Sequence, residues 1–160
     1  LFLGRDTPGR GIMAWANATS AYISDYNGFR PNKGVQEQYW WLAPKKGETA
    51  YTPERDAWKS FATLAEMRSA TGQEAHGIEV DFDIFQKMTP PDPAKRHAVY
   101  HAMDLNFQLK PGSKAVDAGV VIPTVNEGYA GNAPDLGALE SGKPAPVYGP
   151  RWLKTQPFYR

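Results

Sequence analysis

Two neighbouring stretches decide how this sequence is read: "LKPGSKAVDAG", Leu109 to Gly119, and "GNAPDLGALESG", Gly131 to Gly142. Each is a short apolar piece broken by Gly, Pro and Asp, with no room for a helix or a long strand. Each also holds an acid at a corner, Asp117 and Asp135. An Asp flanked by Gly and Pro is placed to accept backbone N–H groups in an Asx-turn. Leu109, Ala115, Val116, Leu136 and Leu139 offer apolar cover, and Gly112, Gly119 and Gly137 permit tight corners.

The rest of the chain agrees with a turn-rich, largely non-helical protein. It has 160 residues, 41% of them hydrophobic and 22% charged, which is globular composition. Gly (15) and Pro (14) are abundant, and there are five Trp and eight Tyr. The net charge of +1 gives no global basic field that would draw the chain to nucleic acid. No apolar run reaches the roughly 20 residues of a membrane span. The absence of Cys excludes disulfide frameworks, thiol catalysis and Cys-based zinc sites.

Outward from the closing stretches, "NFQLKPGSKAVDAG" predicts short extended pieces at Phe107–Leu109 and Ala115–Val116. "GIEVDFDIF", Gly77 to Phe85, alternates and predicts a strand. Ile78, Val80, Phe82 and Ile84 would share its buried face, and Glu79, Asp81 and Asp83 its polar face. "TLAEMRSATG" predicts a two-turn helix with Thr63 as N-cap, Glu66 completing a capping box, Gly72 as the stop and Phe61 as a staple. Gly11 to Arg30 predicts two short strands, the first at Ile12–Ala16, with Asn17 and the Asp25–Gly28 run at their ends. Arg30 to Trp58 is a long irregular excursion rich in aromatics, and the tail from Gly142 an extended one.

"LNFQLKPGSKAVDAG" with "GYAGNAPDLGALESG" resembles the closing segment of secreted right-handed parallel β-helix proteins, the pectate-lyase-like group and other polysaccharide-active members. "SDYNGF" and "LAEMRSATGQEAHGIEVDFDIF" resemble the last rungs and the short inserted helix before such an ending. The resemblance spans about Tyr22 to Arg151. It implies an all-β fold, the C-terminal part of a right-handed parallel β-helix with one short inserted α-helix and an irregular cap. Residues 1–104 would be terminal coils with a long aromatic loop and the helix, and residues 105–160 the cap and extended tail. Asp117, Asp135, Gly119 and Gly137 would belong to the cap, which covers a core and strand edges that the last coil otherwise exposes. The start at Leu1 then reads as that of a fragment, with upstream coils of the same parent chain as its partner.

The implied function is that of a secreted, periplasmic or cell-surface protein that binds and cleaves polysaccharide. It would be a lyase or glycoside hydrolase whose active site lies mostly upstream. The alternative is a non-catalytic carbohydrate-binding or structural solenoid. Tyr39, Trp40, Trp41 and Trp58 are the candidate substrate-binding residues, since aromatic faces suit sugar rings; the alternative reading is that they are hydrophobic anchors pinning the loop to the coils. The resemblance leaves room for calcium in the full-length protein, and no cofactor is assigned.

Other chemistry-bearing residues have plainer readings beside the functional ones. Asp117, Asp135 and Glu140 form either an acid–base or calcium set or a group of turn-capping acids, and the flanking Gly and Pro favour the turns. Glu79, Asp81 and Asp83 read first as a solvated strand face. His97 and His101 would share a helix face but lack a third ligand, so no metal site is assigned. His76 stands near Glu74, as a proton carrier or a structural histidine. Arg30, Arg55 and Arg68 are candidates by type alone and receive no catalytic role.

Overall fold

The computed structural model describes residues 1–16, 22–42, 58–95 and 97–144. The expectations for Asn17, for 43–57 of the aromatic excursion and for the tail beyond 144 lie outside these residues. Among these residues, eight short strands and one α-helix run in the order β1 (Phe2–Leu3), β2 (Met13–Trp15), β3 (Gly28–Arg30), β4 (Tyr39–Trp41), β5 (Lys59–Phe61), α1 (Leu64–Thr71), β6 (Ile78–Glu79), β7 (Phe85–Lys87) and β8 (Asn106–Leu109).

The strands form three small sheets ordered β1-β3-β6, β2-β4-β5 and β7-β8. The first is parallel, with Phe2 opposite Phe29 and Phe29 opposite Glu79. The second pairs β2 with β4 in parallel and β4 with β5 antiparallel. The third is an antiparallel pair with an irregularity between Phe85 and Lys87.

The expected parallel β-helix is therefore corrected. A solenoid lays one coil after another in the same direction. Here no sheet exceeds three strands, two of the three sheets contain an antiparallel pair, and no coil stack exists among the described residues. The misreading has a physical origin. Gly, Pro and Asp punctuation encodes corners, and corners look alike whether the strands between them stack as coils or fold into separate small sheets.

Two apolar clusters hold the sheets together. In the first, Trp15, Phe29, Tyr39, Leu64 and Met67 join β2, β3, β4 and α1. Phe29 packs edge-on to Tyr39 at 5.5 Å and an interplanar angle of 87°, and Phe2 stacks on Phe29 at 5.4 Å. In the second, Val80, Ile84, Phe85, Leu109 and Ala115 join β7 and β8 to the chain on either side.

The helix forms where its capping signals stand. Thr63 Oγ1 accepts the Glu66 N–H at 3.1 Å, and the Glu66 carboxylate reaches back to the Ala62 N–H at 3.0 Å. Gly72 closes it in the left-handed region at φ 72°. Two turns are too short to persist alone. Docking of Leu64 and Met67, both buried, supplies what propensity does not, at about 1.5–3 kcal/mol for each full side-chain burial.

The alternating run Gly77–Phe85 keeps its buried face but not its strand. Val80, Phe82 and Ile84 are buried and Ile78 half-buried, yet only Ile78–Glu79 is strand, followed by a 3-10 turn at Phe82–Ile84. Asp81 ends the ladder: its carboxylate accepts its neighbour's N–H, at 2.7 Å from Phe82 N, and caps the turn.

The closing stretches are corners rather than strands. Ala115 is fully buried against Leu109, and Ala115–Val116 lies in a turn. Asp117 Oδ1 accepts the N–H of Asn132 at 2.9 Å, and Asp135 Oδ1 accepts the N–H of Asp117 at 2.9 Å. Gly119 is required by close approach, because its N–H bonds Pro134 O at 2.7 Å and a Cβ there would collide with that same oxygen. Gly137 has neither a positive φ nor such a neighbour. With no coil stack among the described residues, these acids tie one corner to another and cap no solenoid.

A candidate ligand cleft over the Arg30 floor

Arg30 ends β3 and is 4% exposed. A guanidinium cannot be buried without partners, and every nitrogen of this one is engaged. Nη1 and Nη2 make a bidentate pair with Asp6 at 2.9 and 3.0 Å, Nε meets Asp81 Oδ1 at 2.6 Å, and Nη1 also donates to the Gly4 carbonyl. The guanidinium carbon sits 4.4 Å from the centroid of the Phe82 ring. Asp6 is held in turn by its own N–H, which donates to Asn32 Oδ1 at 2.7 Å, in a left-handed conformation at φ 61°.

The charges of this floor hold one another in place. The Asp6 pKa is lowered, first by its hydrogen bonds from Arg30. Desolvation draws Asp81 upward, but hydrogen bonds from Arg30 and the Phe82 N–H together outweigh it and leave the pKa lowered. The Arg30 pKa is raised, chiefly by the bond to Asp6. Arg30 is thus a fixed structural cation and no acid–base group.

Above this floor opens a cleft of about 640 Å³. Lys33, Lys87 and Lys110 stand on its sides with Asp83 and Gln86, and Phe82, Phe85, Met88 and Pro90 give it apolar surface. Each lysine is set by backbone contacts. The Lys33 N–H donates to Asp6 Oδ1 at 2.7 Å, Lys87 lies opposite Asn106 in β7-β8, and the Lys110 N–H donates to the Ile84 carbonyl at 2.7 Å. None of the three forms an ion pair with an acid among the described residues. The site therefore combines a floor in which one buried cation is shared by two acids, lysines without an ion-pair partner among the described residues, hydrogen-bond acceptors and apolar patches.

The four aromatics of the expected binding site differ in burial. Tyr39 is fully buried in the first core cluster, so its ring offers no surface to a ligand. Burial, with the charges of Glu79 and Glu74, pushes its hydroxyl pKa well above the usual tyrosine range. Trp41 is half-buried against Trp15 and Tyr22, at ring separations of 6.1 Å in both cases. Trp40 and Trp58 are half-buried and meet edge to face at 6.3 Å and 71°.

His76 is held by Asp25 rather than by Glu74. Its Nδ1 lies 2.8 Å from Asp25 Oδ2, and its ring stacks on Tyr26 at 4.5 Å. Glu74 is fully buried, with Oε1 taking the Ser24 hydroxyl and the Asn27 side-chain amide and Oε2 the Asn27 N–H. It ties the turn before β3 to the loop after α1. Arg68 donates to the carbonyls of Glu74 and Gly77, both at 2.6 Å. Arg55 lies outside the described residues. His97 and His101 are both exposed, the first in a turn and the second as N-cap of the short 3-10 turn Ala102–Asp104, so they share no α-helix face, and no group of three metal-ligating side chains occurs among the described residues. No helix there is long and apolar enough to cross a membrane.

Compared with known proteins, the chain matches no family model, no curated protein and no solved structure.

Sequence reasoning marked Asp81 and Asp83 but missed the lysines and the bond of Asp6 to Arg30. Residues 6, 30 and 81 are far apart in the chain, and isolated lysines carry no local signal. The one available hint was Asp-Phe-Asp next to an apolar run, an acid pair in need of a cation.

Proposed function

We propose that this chain binds carbohydrate, specifically a polysaccharide carrying acid groups, in the cleft above Arg30. The observation that carries the reading is the set of three lysines, Lys33, Lys87 and Lys110, which form no ion pair among the described residues and outnumber the one net negative charge of the Asp6–Arg30–Asp81 floor and the acid Asp83 beside it. A sugar acid asks for three things at once. Its carboxylate needs cations, its hydroxyls need acceptors, and its C–H faces need apolar surface. The lysines, the Asp83 and Gln86 side chains, and Met88 with Pro90 meet those needs in turn. An extracellular or cell-surface setting fits such a ligand.

Binding is the activity assigned to the cleft, whose buried cation is committed to Asp6 and Asp81 and keeps the floor fixed. Calorimetric titration with an oligogalacturonate and with a neutral oligosaccharide of equal length tests the reading. The acidic ligand is expected to bind at low salt and to weaken at least about tenfold when Lys33 and Lys87 are both changed to Ala. Equal binding of the neutral ligand, or an acidic ligand that ignores both substitutions, overturns it.

A further inference from the structure

The cleft does not end at Lys110. A second hollow of about 340 Å³ opens on its far side, lined by the Lys110–Lys114 turn and by Asp83 and Ile84. Asp83 and Lys110 line both hollows, so the two are neighbours on either side of those side chains. The turn that shapes the second hollow is fixed by backbone. Lys110 N–H is bound to Ile84 O at 2.7 Å, Ser113 N–H to Lys110 O at 3.1 Å, and Gly112 takes a φ of 75° between them. Lys114, at the end of that turn, is exposed and forms no ion pair among the described residues.

The cations are therefore spread along the surface. Lys33 and Lys87 belong to the first hollow, Lys110 to both and Lys114 to the second, with Asp83 the one acid common to the two. A ligand with a single acid group gains nothing from this spread. A ligand whose acid groups repeat along a chain meets a cation in each hollow. From this, and resting on the carbohydrate reading above, we infer that the ligand is an extended polymer of acidic sugars occupying two linked subsites, with Lys114 as the cation of the second. Engagement of the second hollow is then an intramolecular step, so affinity rises with chain length without any stronger single contact.

Titration of fluorescently labelled galacturonate oligomers of three and six units at fixed low salt tests this, with thermal melts confirming that each variant is folded. The six-unit ligand is expected to bind roughly tenfold or more tightly than the three-unit ligand, as linked subsites require. Lys114→Ala should remove that gain and leave three-unit binding unchanged, whereas Lys33→Ala with Lys87→Ala should weaken both. Equal affinity for the two lengths, or a length gain that survives Lys114→Ala, overturns the two-subsite inference while the cleft reading stands. Failure of both oligomers to bind overturns the cleft reading itself. A poly-glutamate of matched charge that binds as tightly shows that the groove reads charge alone and removes the sugar from the proposal.

Discussion

Replacing Arg30 by Met isolates what its charge contributes. The methionine stem retains apolar contact with Phe82, so packing changes little while the guanidinium disappears. The substitution deletes the bidentate pair with Asp6, the bond to Asp81 and the bond to the Gly4 carbonyl. Removing one partner of a buried ion pair ordinarily costs about 3–5 kcal/mol. The side chains left behind are 30% exposed at Asp6 and 51% at Asp81, so water rehydrates them in part and the value belongs near the lower bound, about 3 kcal/mol. For a chain of this size that is roughly 6–12 °C in Tm. Urea unfolding followed by tryptophan fluorescence, to which the buried Trp15 contributes, reads the change. The cause is checked by adding Asp6→Asn and Asp81→Asn to Arg30→Met. With no unpaired acid remaining, roughly half or more of the loss should return. A single-variant loss under about 0.5 kcal/mol, or a triple variant no more stable than Arg30→Met, refutes the reasoning.

The helix cap provides an independent check: Thr63→Ala removes the acceptor for the Glu66 N–H and should lower stability by about 1 kcal/mol, seen as a lower urea midpoint at unchanged slope. Acid sensitivity follows from three carboxylates, since Asp6, Asp25 and Asp81 all have folded pKa values below the ordinary 3.8. Their contribution is complete above about pH 3.8 and is lost as pH falls through the lower folded values, so a pH series of urea midpoints should drop in that window. Arg30→Met should flatten the drop without abolishing it, because Asp25 takes its bonds from His76 and Tyr26 and not from Arg30.

The parts of this fold that are written locally were legible, and the parts written by distant pairing were not. The helix lay in view because Thr63, Glu66 and Gly72 act within one turn of their own positions. The strand at Met13–Trp15 and the piece at Asn106–Leu109 followed from their apolar runs. Val80, Phe82 and Ile84 were identified as buried because alternation decides which side chains face the core. Alternation does not decide whether the backbone stays extended, and Asp81 turned it. Sheet architecture was beyond reach for a further reason. Phe29 finds one partner at Phe2 and another at Glu79, and two-residue strands carry too little pattern to name such partners. The site divided in the same way. Asp117 and Asp135 as acceptors of backbone N–H groups were legible from their corners, while the cleft was assembled from residues between Asp6 and Lys110 that share no local motif.

The separation between Arg30 and the lysines follows from burial, and it determines how binding should behave. A guanidinium that has left water must hold fixed partners, so it gives the cleft a rigid floor and no adjustable charge. Exposed lysines keep their hydration and rotamer freedom, and each contributes little on its own. Lys33, Lys87, Lys110 and Lys114 are all exposed. Their attraction for an acidic chain is therefore additive, modest and screened over a Debye length of about 8 Å at physiological ionic strength. Shape and apolar contact on the Met88–Pro90 side are screened by no salt. An acidic polysaccharide held by both should lose affinity steeply as salt rises and then level off at the part that the apolar surface supplies. A ligand held by charge alone should keep falling.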